Sequence, residues 1–211
     1  MGMSTGTRYL IGGAPTVGKS TIAAQLAAHL GLPWISTDQI RDIMRTVADR
    51  RVHTKLFNPQ GPDGVPYDAE SFYRAFSAQQ IVEIEIGQGE AAWVGIRALI
   101  TGDYTWPQGF VVEGVNLIPQ LIAGEISRDA DVRTVFVTDT DHGRMREVVF
   151  TRGVWDDAKR TSDAAKEKEL TWITRYDAWI REQAAKHGFP VVALHKDDKD
   201  LARVLEALKL S

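Results

Sequence analysis

The chain has 211 residues, of which 44% are hydrophobic and 25% charged, a balance that excludes wholesale disorder and supports one buried core. The formal net charge of −3 argues against a general nucleic-acid coat, and the absence of cysteine excludes disulfides, zinc–thiolate sites and thiol catalysis. No apolar run approaches the 18 residues of a membrane span, and Met1–Gly6 lacks signal-peptide character, so a cytoplasmic protein is expected.

Strand-like and helix-like runs alternate along the chain, the pattern of a parallel α/β sheet. Arg8–Ile11 reads as the first strand, closed by Gly12-Gly13. A helix is expected over 19–30, with Ile22, Leu26 and Leu30 four apart and Gly31 and Pro33 ending it. Trp34-Ile35 is a short second strand. A second helix over 38–47 places Ile40, Ile43 and Val47 on one side. Residues 51–67 read as loop, because Pro59 and Pro66 flank Gly61-Pro62-Asp63-Gly64. Residues 68–100 are helical in pattern, with a break or kink expected at Gly87-Gln88-Gly89. Strands follow at 110–112 and 132–137, then a short basic helix at 142–152 and a long helix at 161–187. A last strand at 190–194 and a closing helix at 200–210 complete five strands.

Between the first strand and first helix, Gly13-Ala14-Pro15-Thr16-Val17-Gly18-Lys19-Ser20 matches G-x-x-x-x-G-K-[ST] at every fixed position, and Thr21 follows. The glycines let backbone N–H groups curl around a phosphate, Lys19 reaches the β- and γ-phosphates, and the Ser20 hydroxyl can ligate Mg²⁺. A strand before the motif and a helix after it supply the required context. A GTPase would show Asp-x-x-Gly after its third strand, where this chain has Glu113-Gly114, and no guanine-reading Asn/Thr-Lys-x-Asp is present; His195-Lys196-Asp197-Asp198 reads as a solvated turn. ATP is therefore favoured.

Three further segments carry the candidate chemistry. On a helix beginning at the end of the second strand, Asp38, Arg41 and Arg45 share one face. The carboxylate can take a hydroxyl proton and the arginines can hold an acceptor, although Asp38 is also an ordinary helix cap and Arg45 an ordinary surface charge. Glu113, ending the third strand beside the phosphate loop, can orient Mg²⁺-bound water or simply be paired at the sheet end. Among the basic residues after the fourth strand, Arg144 and Arg152 are candidates for a lid that covers the γ-phosphate. Trp172, Tyr176 and Trp179, spaced four and three apart, read as core.

The segments GGAPTVGKSTIAAQLAAHLGLPWISTDQIRDIMR (12–45) and VVEGVNLIPQ (111–120), with TRYDAWIREQAAKHGFPVV around Tyr176, resemble the 2-phosphoglycerate kinase-like P-loop kinases. Those proteins more often carry small Ser and Gly residues at 14–16 and His at the position of Asn116. The resemblance implies a single nucleoside-monophosphate-kinase-type domain with strand order 2-3-1-4-5. It also implies a helical acceptor-binding insertion over 51–105 and a lid over 139–160. Asp38 stands where chloramphenicol phosphotransferase and zeta-toxin-type kinases place a general base. The expected function is transfer of the γ-phosphate of ATP, with Mg²⁺, to a hydroxyl of a small molecule such as 2-phosphoglycerate. An antibiotic or amino-sugar acceptor and a non-catalytic ATP-dependent switch are the alternatives. No nucleic-acid or membrane partner is expected.

Overall fold

The computed structural model describes residues 6–102, 106–126, 131–155 and 157–210. Met1–Thr5, the insertion's last residues 103–105 and Asp156 within 139–160 lie outside them. Five strands, β1 (Arg8–Gly12), β2 (Trp34–Ser36), β3 (Phe110–Gly114), β4 (Val132–Thr138) and β5 (Val191–Ala193), form one sheet in the order β2-β3-β1-β4-β5. Every pairing is parallel, with Gly12 opposite both Gly114 and Phe136. β1 and β3 are buried along their whole lengths, as the central strands of a sheet covered on both faces must be.

The covering helices are α1 (Lys19–Leu30), α2 (Thr37–Val47), α3 (Ala69–Ala75), α4 (Ala78–Thr101), α5 (Pro119–Glu125), α6 (His142–Thr151), α7 (Asp163–Lys186) and α8 (Asp200–Ala207). No described helix is long and apolar enough to cross a membrane. α1 ends at Gly31 in the left-handed conformation, whose N–H returns to the carbonyls of Ala27 and Ala28. α7 buries Trp172, Ile173, Tyr176 and Ile180, and the Tyr176 hydroxyl donates to the Val115 carbonyl (2.9 Å), so the aromatic residues of this helix are core.

Three readings of the sequence are corrected. α4 runs unbroken through Gly87 and Gly89, and the helical region divides earlier, at Phe76-Ser77, where Ser77 forms a capping box with Gln80. Gly89 serves contact rather than bending. A Cβ on Gly89 would stand 2.8 Å from Ile118, so a bare backbone is what lets α4 lie against the segment after β3. In α2, Ile40 is buried, but Ile43 and Val47 are 64% and 85% exposed; the helix packs against the core through Ile40 and Met44 instead. Third, the loop before α3 contains a 3₁₀ turn at Thr54–Leu56 that buries Leu56. α5 was not anticipated; it begins with Pro119 at its first position, where the missing N–H costs nothing.

Candidate active site

The carboxyl ends of β1, β2 and β3 open on a common cleft, as the parallel sheet requires. Gly13 and Gly18 take φ values of +148° and +103°, and Thr16 lies at +68°, a left-handed conformation costly for a side chain. A Cβ on Gly13 would meet the Val137 carbonyl at 2.3 Å. The phosphate loop is thus shaped by close backbone approach. Lys19 is buried and its Nζ donates to the Ala14 carbonyl (2.7 Å), which uses one of three ammonium protons. Burial lowers the Lys19 pKa, opposed by Glu113 and Asp38.

Glu113, at the end of β3, is buried and accepts the Ser20 hydroxyl proton at 3.2 Å. Burial raises its pKa, against Lys19 and the hydroxyls of Ser36 and Ser20. These two oxygen groups at the phosphate loop suit a hard cation such as Mg²⁺, the hydroxyl as a direct ligand and the carboxylate through water. Gly114 has φ +154°, and a Cβ there would overlap Thr37 Oγ1, so the chain leaving β3 passes against the start of α2.

α2 is capped by Ser36, whose side chain accepts from the Asp38 N–H while Gln39 returns to the Ser36 N–H (3.2 Å). Asp38 is therefore not the cap, and its carboxylate is free for other work. It pairs with Arg41 (3.2 Å) and accepts from Asn116 Nδ2 (3.2 Å), which also reaches Thr37 Oγ1 at 3.2 Å. Arg41 in turn donates to Gln88 Oε1 (2.6 Å), and Gln88 donates to Asn58 (3.1 Å). The result is a hydrogen-bonded line from the loop after β3, across α2, to α4.

One cleft, about 330 Å³, is bounded by Lys19, Ser20, Asp38, Arg41, Glu85, Gln88 and Arg152, among others. A second cavity, about 390 Å³, follows the phosphate loop itself along Thr16, Gly18, Lys19, Ser20 and Thr21 to Arg152 and Lys196. Arg152 lines both. Of the expected arginines, two stand elsewhere. Arg45 is spent on Asp42, the Leu56 carbonyl (2.7 Å) and Asn58, tying α2 to the 3₁₀ turn of the loop that follows it. Arg144 pairs with the buried Asp139 (2.7 Å) and with Asp141, and donates to the carbonyls of Leu194 and His195, fixing the loop after β5. Asn58, Glu85, Gln88, Asn116 and Trp155 join the cleft or its support without having been anticipated. For Gln88 the local signal is the Gly-Gln-Gly inside the helical pattern, which marks a close contact and not the expected kink.

No family model matches the chain. In sequence it is similar to the 2-phosphoglycerate kinase of Methanothermobacter thermautotrophicus, 30% identical over 190 residues that cover 87% of this chain and 59% of that protein. The 2-phosphoglycerate kinase of Methanocaldococcus jannaschii is 29% identical over 208 residues, 95% of this chain and 63% of that protein. The chain spans about three fifths of the length of these curated relatives. In structure it is similar to a shikimate kinase from Bacteroides thetaiotaomicron, with a TM-score of 0.53 and 14% identity over 97% of this chain and 99% of that one. A shikimate kinase from Acinetobacter baumannii, in complex with shikimate, aligns with a TM-score of 0.50 and 16% identity over 99% of this chain and 92% of that one. The fold is that of the P-loop kinases, and the resemblance carried by the motifs is borne out.

Proposed function

We propose that the chain is an ATP-dependent phosphotransferase that moves the γ-phosphoryl group to a hydroxyl of a small molecule. The observation that carries this reading is the shared cleft. A phosphate loop, a carboxylate held by an amide and a guanidinium, and Arg152 all face one cavity. Relatives named for a kinase and the P-loop kinase fold support it.

In this reading Lys19 and the loop amides hold the triphosphate. Ser20 and Glu113 would hold Mg²⁺, which when bound neutralises charge on the phosphates. Asp38 orients the acceptor hydroxyl and takes its proton as the new oxygen–phosphorus bond forms and the bond to the β-phosphate oxygen breaks; ADP leaves. Asn116 and Arg41 hold Asp38 from two sides, which removes the entropy of searching for that geometry. Arg152 places positive charge beside the transferring group, where such a residue contributes most. Residues 51–105 supply the acceptor side of the cleft, through Asn58, Glu85 and Gln88, and residues 139–160 the lid, through Arg152.

The test is ADP release from Mg²⁺-ATP with a panel of hydroxyl acceptors, 2-phosphoglycerate among them because the relatives are named for it. One acceptor should stimulate release, and Lys19→Ala should abolish the stimulation. ATP binding with no stimulated release by any acceptor would replace this reading with an ATP-dependent binding module.

A further inference from the structure

Beyond Asp38 the cleft continues into a second chamber of about 400 Å³, and the two share Asn58, Glu85, Gln88 and Trp155 as walls. An acceptor whose hydroxyl lies at Asp38 must place the rest of its body there. Among the described residues, the chamber's charged walls are Asp68, Glu70, Glu85 and Asp157 against one cation, Arg160. Asp68 and Glu70 are partly occupied: the first caps α3 through Ser71, and the second accepts from Ser162 and Arg74. Glu85 and Asp157 are not. Asp157 is buried, and neither of its carboxylate oxygens has a hydrogen-bond partner. Glu85 is 9% exposed, stands at the junction of the two cavities, and makes no hydrogen bond or ion pair within the described residues.

A carboxylate left without a donor in a largely buried position is costly, so it marks a place where a donor arrives from outside. The cations nearby do not reverse this sign. Arg41 is neutralised by Asp38, and Arg45 is committed to Asp42, Leu56 and Asn58. Tyr67, Phe72 and Trp155 add aromatic walls, which favour cations and sugar-like or other flat faces over phosphate.

We infer that the chamber is an ammonium-binding acceptor subsite: Glu85 receives a protonated amine carried by the acceptor, with Asp157 and Trp155 beside it, so the preferred substrate is an amino-bearing hydroxyl compound rather than an anionic phosphoglycerate. This rests on the phosphotransferase reading for its place in catalysis, but binding can be measured apart from turnover. Burial, opposed in part by Arg41, raises Glu85 to about 6, so its charged form is less favoured in the empty chamber than in water, and an ammonium ion would favour it again.

The probes are matched pairs, glucosamine against glucose and galactosamine against galactose, with 2-phosphoglycerate as the anionic comparison. Binding is followed by calorimetry in the presence of a non-hydrolysable ATP analogue, and turnover by ADP release. The amino sugars should bind about tenfold or more tighter than their neutral partners, the scale of one charge-assisted hydrogen bond. Glu85→Gln, which keeps the shape of the wall, should erase that difference while leaving ATP affinity intact. Amino sugars binding no better than the neutral sugars, or 2-phosphoglycerate binding better than both, overturns the inference, as does an amine preference that survives in Glu85→Gln. Selective amine binding with no acceptor-stimulated ADP release would leave the subsite standing and overturn the phosphotransferase reading instead.

Discussion

Replacing Asp38 by Asn separates catalysis from structure, because the structure assigns the two jobs to different residues. Asn keeps the side-chain shape and an oxygen for Asn116 Nδ2, now at 3.2 Å from Asp38. What is lost is the charge and the basic site. The pair with Arg41 is half exposed on the Asp38 side, and such pairs contribute at most about 1 kcal/mol. For a chain of this size that is a fall in Tm of at most about 4 °C. Loss of the proton acceptor should cost about 10²- to 10⁴-fold in kcat, or roughly 3–5 kcal/mol of transition-state stabilisation. The control is Ser36→Ala, which removes the side chain that caps α2. It should cost about 1 kcal/mol of stability, comparable to Asp38→Asn, and, although the Ser36 hydroxyl also reaches Glu113, lower kcat far less than Asp38→Asn does. The assay is ADP release under saturating acceptor, with ATP affinity and Tm measured on the same preparations. If Asp38→Asn retains kcat within about threefold, or if its loss matches that of Ser36→Ala, Asp38 acts only as a first-turn charge on α2 and the proposed mechanism is wrong.

Two further outcomes are expected. Arg152→Ala should lower kcat by about 10-fold or more at nearly unchanged Tm, whereas Arg144→Ala should lower Tm first, because it removes the shortest ion pair of the buried Asp139 and leaves it only Lys196 at 3.6 Å and the Asp141 N–H; activity and melting curves of the two variants decide this, and the reverse pattern would exchange their roles. Glu169 is fully buried and its pKa is pushed up to about 7, first by burial and then by Asp157, while its Oε1 accepts the Val154 N–H at 2.6 Å. The folded value lies above the unfolded one of about 4.5, so the unfolded chain ionises first and the fold loses stability as pH rises from about 4.5 to about 7. Glu169→Gln should therefore unfold like the wild type below about pH 4 and be the more stable protein at pH 8, by an amount of order 1–3 kcal/mol read from denaturant midpoints; equal midpoints at pH 8 would show that Glu169 is not held neutral by the fold.

What could be read from the sequence was what is local. The phosphate loop is contiguous, and its glycines, lysine and serine carry their geometry with them. Asp38 and Arg41 are one helical turn apart, so a helix alone makes them neighbours. Arg45 was placed on the same face by the same rule, but the rule knows nothing of the chain that folds over that face: the Leu56 carbonyl and Asn58 capture the guanidinium before it reaches the cleft. Gln88, Glu85 and Asn116 were illegible for a related reason. Each lies 47 or more positions from Asp38 and reaches the site only because α4 packs without a Cβ at Gly89 against the segment after β3. Gly89, part of the stretch that suggests a kink, is what lets α4 bring Gln88 to Arg41. Ser36 shows the opposite limit. Ser, Thr and Asp stand in a row at the start of α2, any of them a plausible cap, and only the backbone geometry selects Ser36 and leaves Asp38 free.

The line of contacts from Asn116 through Asp38 and Arg41 to Gln88 also decides how charge is divided across the cleft. Were Arg41 unpaired, it would be the natural receptor for an anionic acceptor beside the phosphate loop. Paired with Asp38 and seated on Gln88, it is a support whose charge is largely neutralised within the protein. The positive charge facing the loop then belongs to Lys19 and Arg152, with Lys196, paired to the buried Asp139 at 3.6 Å, beside them on the side where a triphosphate would lie. On the far side, Glu85 and Asp157 face the chamber with Arg160 as the one cationic wall among the described residues. Coulombic complementarity therefore assigns opposite signs to the two ligands, anionic at the loop and cationic in the chamber. That polarity also keeps the ligands apart: a second nucleotide or a phosphorylated product would be repelled from the acceptor side by the same carboxylates that receive an amine.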